Sequence, residues 1–281
     1  MTTGTSGVAG NRPAAYILYQ LFKYGIYALL AYNLFLFFEK DLAASAELFR
    51  NGIPLADLIP AYAITVDIAA WLVLLLLFEA ETYIVSDETL KGPARWTIRA
   101  ASTICYAFIL HAWYGYLVQL ERMLGATPSN IADACALIGT DYTYLLSLGD
   151  YLPIDSASCA ALNADSLFQI PNSLIVAGAS SMQLAQKLAW IDVINATTWL
   201  LIVAILEFEI YVQLMGRLRK NALKICSFLK IPLYGVLLFN AIYWGINGEF
   251  LDFWDAFLWL LAFMFIEANI FEWRLETSDG D

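Results

Sequence analysis

Apolar residues run through this chain in long blocks separated by short polar stretches. Blocks near or above the ~18 residues needed to cross a bilayer recur at 16–38, 60–84, 98–120, 188–213, 226–246 and 251–273. Backbone in hydrocarbon must satisfy its own hydrogen bonds, which favours helices. The alternating period of a membrane β-barrel is absent from the sequence. The pattern therefore predicts an all-α membrane protein with six transmembrane helices.

The polar residues inside those blocks are ordered. The second, fourth and sixth blocks share one template: Asp or Asn, three residues, Trp, seven residues, Glu, one residue, Glu or Asn, one residue, aromatic. It reads Asp67, Trp71, Glu79, Glu81, Tyr83, then Asn195, Trp199, Glu207, Glu209, Tyr211, then Asp255, Trp259, Glu267, Asn269, Phe271. The odd blocks echo one another too. KYGIYALLAYN (Lys23–Asn33) and KIPLYGVLLFN (Lys230–Asn240) share Lys, Tyr and Asn without a gap. STICYAFILHAWYGY is a weaker third copy, with His111 near the Asn position. The expected unit is a helical hairpin used three times: 16–84, 98–213 and 226–273. A short N-terminal segment (1–15) and an acidic tail (274–281) flank the array. Parallel repeats are common in transport proteins, and three equivalent hairpins can close into a pseudo-threefold bundle. One long loop, 123–186, interrupts that symmetry. It is rich in apolar residues and broken by Gly and Pro, as in TDYTYLLSLGDYLP, so it reads as a small folded cap. A re-entrant segment near 167–182 is a second reading of its last part.

Composition agrees: 60% of residues are hydrophobic and 15% charged, which excludes an ordinary soluble domain. Eleven of the 15 Lys and Arg fall at the N-terminus, in the loops after spans two and four, and beyond span six. The other four are Lys40, Arg50, Arg122 and Lys187. The positive-inside rule then puts both termini in the cytoplasm and the long loop outside. A multi-pass protein of the inner (plasma) membrane is expected. The formal charge of −11 and the lack of a basic patch argue against nucleic acid as a partner. Cys105 and Cys226 lie in or beside spans and read as small apolar residues. Cys135 and Cys159 share the outer loop, where a disulfide suits an oxidising compartment; two free thiols are the rival reading. ASAEL at 44–48 resembles a signal cleavage site. The apolar stretch before it is long for a signal, and its likeness to span five keeps it in the structure.

The acids carry the functional question. Residues two apart on a helix point to nearly opposite sides, so Glu79 and Glu81 cannot share a face. Neither can Glu207 and Glu209, nor Glu267 and Asn269. An acid inside a membrane is a functional-site hypothesis by default. Glu79, Glu207 and Glu267 form the first candidate ring; Glu81, Glu209 and Asn269 are the runner-up. Such a ring would share protons or bind a cation. A bound cation is the one ligand this suggests, and no organic cofactor is implied. Asp67, Asn195, Asp255, Asn33, Asn240 and His111 could add a polar path. The leading expectation is a protein that binds or conducts cations or protons. The alternative is a non-catalytic scaffold, or one subunit of a larger membrane complex, in which the acids lock helices or bind a partner. Besides the bilayer, a second copy or other membrane subunits are the expected partners. With one His, no Glu-x-x-His pair and no phosphate loop, an enzyme is not expected.

Overall fold

The structure is a computed structural model. It describes the backbone of residues 12–80, 93–215 and 219–278, and the side chains of 17–80, 96–209, 212 and 224–267. Glu81 and Tyr83 lie outside the described residues, as do residues 1–11 and 279–281 of the two terminal segments. The side chains of Tyr211, Asn269 and Phe271 are also outside them.

The chain is mostly helical. Helix α1 spans Arg12–Leu48, the short α2 Leu58–Ala61, α3 Ala63–Glu79 and α4 Pro93–Leu124. Helix α6 spans Ala179–Met215, α7 Arg219–Ile246 and α8 Phe250–Ser278. Four stretches are long and apolar enough to cross a membrane: Ile17–Leu48, Trp96–Leu124, Ala179–Glu209 and Lys224–Ile246. A fifth is a broken pair, Leu55–Ala61 with Ala63–Glu79, bent by 70°. The described part of α8 carries Asp252, Asp255 and Glu267.

The expected continuous helix from residue 60 is therefore corrected. Tyr62, at φ −118° and ψ 34°, leaves the helical region between α2 and α3. The restarted helix has orphan N–H groups, and Asp41 of α1 supplies the cap. Its Oδ2 accepts from the Thr65 N–H at 2.9 Å and the Thr65 hydroxyl at 2.7 Å. Gly115 of α4 makes the close approach feasible. A Cβ there would stand 2.8 Å from Ala63 Cβ and 3.2 Å from Pro60 Cα.

The all-α expectation is also corrected. The 123–186 segment is folded, but around a five-stranded mixed sheet in the order β1-β4-β5-β2-β3. Its strands are β1 Thr127–Pro128, β2 Thr143–Ser147, β3 Asp150–Pro153, β4 Leu167–Gln169 and β5 Ile175–Gly178. Strands β2 and β5 run parallel; the other neighbours are antiparallel. The turns explain why the chain folds back here. Gly149 (φ 81°) joins β2 to β3, and Asn172 (φ 57°) sits between β4 and β5. Both positions are left-handed, where Gly and Asn are favoured. The 167–182 stretch is thus β4, β5 and the first turn of α6, not a re-entrant segment.

A helix α5, Ser156–Asn163, covers the sheet. Ala134, Ile154, Cys159, Leu162 and Val176 form the core, with Tyr144 and Leu167 packed against it. Cys135 and Cys159 are joined by a disulfide. Three aspartates cap the turns. Asp133 accepts from Asn163 Nδ2 and from the Cys135 N–H, and Asp155 closes a capping box with Ser158. Asp165 accepts from the Ser180 N–H at the start of α6. These hydrogen bonds hold all three carboxyls below their ordinary value of 3.8. Much of the loop's acidity is thereby spent on local structure. The end of α1 meets the sheet through Lys40 and Asp150 at 3.9 Å and Arg50 and Asp141 at 3.7 Å.

The described chain divides into two compact units: Leu34–Asn240, and Met1–Asn33 together with Ala241–Asp281. In the second unit α1 meets α8, where Tyr19 and Phe22 both stack edge-on against Phe265.

Candidate functional site

The template acids meet side chains of neighbouring helices. Helix α6 is the clearest case. Glu207 accepts a hydrogen bond from the Tyr106 hydroxyl of α4 at 3.0 Å. Two residues on, Glu209 forms an ion pair with Lys230 of α7, with Nζ 3.1 Å from Oε2. The two acids thus reach different helices, as a 200° separation on one helix requires. Glu207 is exposed at the helix surface, whereas Glu209 is 1% exposed.

The outer polar position of the template behaves the same way. Asp255 of α8 accepts from Asn33 Nδ2 of α1 at 2.9 Å, and both residues are buried. Asp67 of α3 accepts from the Tyr116 hydroxyl of α4 at 3.0 Å. Aligning the odd helices on Tyr27, Tyr106 and Tyr234 places the fully buried Ala112 where α1 has Asn33. Tyr116 lies one turn further on. Helical side chains lean back over the preceding turn, so its hydroxyl reaches the level that Ala112 leaves without a polar group. The template tryptophans are packed: Trp199 and Trp259 are buried, and the rings of Trp71 and Trp199 lie 6.4 Å apart.

The other candidates lie on several elements. Glu79 is buried at 3% exposure in the Leu34–Asn240 unit. Glu267 is half-buried in the other unit. Asn240 is buried, and its Nδ2 and the Oδ1 of Asn195 have no hydrogen-bond partner among the described residues. His111 is exposed, its ring 6.0 Å from that of Tyr114. Among the described residues, no three His, Cys, Asp or Glu side chains gather closely enough to hold a metal ion. Of the runner-up ring only Glu209 has a described side chain, and a lysine faces it.

Sequence reasoning missed the partners. Lys23 and Lys230 entered the topology argument as cations near the membrane surface. Both are buried within helices, Lys23 completely. Lys23 sits over the Tyr24 ring, with Nζ 5.1 Å from its centroid. The matched Lys in α1 and α7 was the available signal, since a lysine kept inside an apolar repeat calls for an acid. Tyr106 and Tyr116 gave no comparable signal, because tyrosine is at home at membrane interfaces. Comparisons with protein-family models, curated proteins and solved structures yield no match to this chain.

Proposed function

We propose that this chain is a non-catalytic multi-pass membrane scaffold, or one subunit of a larger membrane complex, in which the intramembrane acids lock helices together. The observation that carries this reading is the Glu209–Lys230 pair, buried on both sides. A carboxylate already neutralised by a lysine is poorly placed to hand a cation along a path. The Tyr106–Glu207, Tyr116–Asp67 and Asn33–Asp255 bonds extend the same logic to the other helices. Interhelical hydrogen bonds of this kind specify packing in membranes at about 1 kcal/mol each. The disulfide-braced sheet between α4 and α6 is then the part of the molecule offered to the exterior.

The finer architecture belongs to the same proposal: six spans in three hairpins about a pseudo-threefold axis, in the inner membrane, with both termini cytoplasmic. The Lys and Arg asymmetry and the disulfide's need for an oxidising compartment support this orientation.

The cation or proton reading is the competitor. Its support is Glu79, a carboxylate at 3% exposure inside an apolar helix, which is where functional acids are found. One experiment separates the two. Purified protein is reconstituted into liposomes and assayed for monovalent, divalent and proton flux, beside a Glu79→Gln/Glu207→Gln/Glu267→Gln variant. The scaffold reading expects no flux from either protein and a lower melting temperature for the variant. Flux in the wild type that the variant loses would establish cation handling instead.

A further inference from the structure

The strongest unexplained feature is a polar group where the membrane reading leaves it no water. The outward face of α4 carries Ile104, Ala107, Phe108, His111 and Tyr114, all exposed. Their spacing of three or four residues makes them one stripe. His111 lies at its centre. Among the described residues, neither the His111 ring nor the Tyr114 hydroxyl has a hydrogen-bond partner; their rings lie 6.0 Å apart. Thr103, further down the helix, is different, because its hydroxyl donates to the Arg99 carbonyl at 2.8 Å.

Depth makes the feature informative. The candidate span runs from Trp96 to Leu124. At 1.5 Å per residue, His111 lies about 22 Å from the first end and about 20 Å from the other. In a hydrocarbon layer about 30 Å thick, that is near the midplane. A histidine side chain is too short to reach either surface. Ionisable residues at such depths face a protein interior, a wet cavity or a partner. Among the described residues, His111 is exposed and not turned into a core.

We propose that this α4 face docks against a second copy of this chain, through a twofold axis along the membrane normal that pairs His111 with Tyr114 of the partner subunit. The inference rests on the membrane-spanning reading above, not on the role assigned to the acids. A copy is favoured over a foreign subunit by depth and by chemistry. Copies inserted in one orientation hold equivalent residues at equal depth. An axis along the normal therefore brings the two α4 stripes together in register, as isologous contacts require. Neutral imidazole offers one donor and one acceptor, and a tyrosine hydroxyl offers both. His111 and Tyr114, three residues apart, are thus self-complementary, and the contact forms twice. Ala107, on the same stripe, lets the two backbones approach, as small residues do at membrane helix interfaces.

The test uses full-length protein labelled with one fluorophore per chain and reconstituted into bilayers over a range of protein-to-lipid ratios. Resistance of the membrane-bound protein to alkaline carbonate is established first. Extraction by carbonate would sink the spanning reading and the dimer with it; retention with single-step photobleaching at every ratio would sink the dimer alone. The expected result is two-step bleaching that persists on dilution. His111→Leu should raise the dimer dissociation constant about tenfold or more. Phe239→Leu, on the exposed face of α7, should leave it unchanged. A second arm needs no loss of stability. In a Cys105→Ala/Cys226→Ala background, Phe108→Cys should form an oxidative cross-link between chains, and Phe239→Cys should not. A dimer indifferent to His111→Leu, or cross-linked at Phe239→Cys but not Phe108→Cys, overturns the proposal.

Discussion

Replacing either member of the Glu209–Lys230 pair should be among the most damaging single changes in the long helices. The side chains are 1% and 8% exposed, with 3.1 Å between charged atoms. Removing one partner leaves the other charge buried without the opposite charge that faces it here. Breaking a buried pair of this kind costs about 3–5 kcal/mol. Lys230→Met and Glu209→Met should each cost that much. The double Met variant replaces the pair with apolar side chains of similar volume and should lose about 1 kcal/mol or less. The assay is reversible unfolding in mild detergent, read by tryptophan fluorescence and arranged as a double-mutant cycle. Additive single losses below about 1 kcal/mol would refute the claim that this pair is a dry helix lock.

Gly115→Ala should destabilise by about 1–3 kcal/mol, because its methyl would stand 2.8 Å from Ala63 Cβ; a melting temperature equal to wild type would show that α2 and α3 can yield. Reducing the Cys135–Cys159 disulfide, which closes a loop of sequence separation 24, should cost the sheet region about 3–4 kcal/mol. Amide exchange should then quicken in β2, β5 and α5 while α4 and α6 stay protected. The capping carboxyls of Asp133, Asp155 and Asp165 are held below 3.8, so their contribution is present above that value and lost as pH falls through the lowered ones. Near-ultraviolet dichroism of the sheet region should therefore hold steady from pH 7 to about 5 and decay below about pH 4. Decay beginning near pH 6 would implicate another group.

How far these features could be read from the chain depends on what each residue type signals by itself. Long apolar blocks announce helices because hydrocarbon leaves the backbone few other choices. The start of α3 was harder to see. Pro60 and Tyr62 are each acceptable in a helix end, and the bend is held by a cap from Asp41, 24 residues earlier. The sheet was within reach: TYLLS and DYLP flank a Leu-Gly turn, and IPNS marks another. Strands of two to five residues, however, carry too little periodicity to stand out from a loop.

The acids show a deeper limit. Helical geometry alone says that Glu207 and Glu209 face different neighbours, and in the fold they reach Tyr106 and Lys230. It cannot say whether those neighbours are other acids, water or a lysine. An acid repeated in register reads as a ring while its partners are unknown. On the scaffold proposal, Lys230 opposite Glu209 and Asn33 opposite Asp255 are locks at separate helix contacts. The membrane is the reason such a device has value. Between helices in lipid, apolar contact gives little preference for one neighbour over another, and a buried polar pair supplies the missing discrimination.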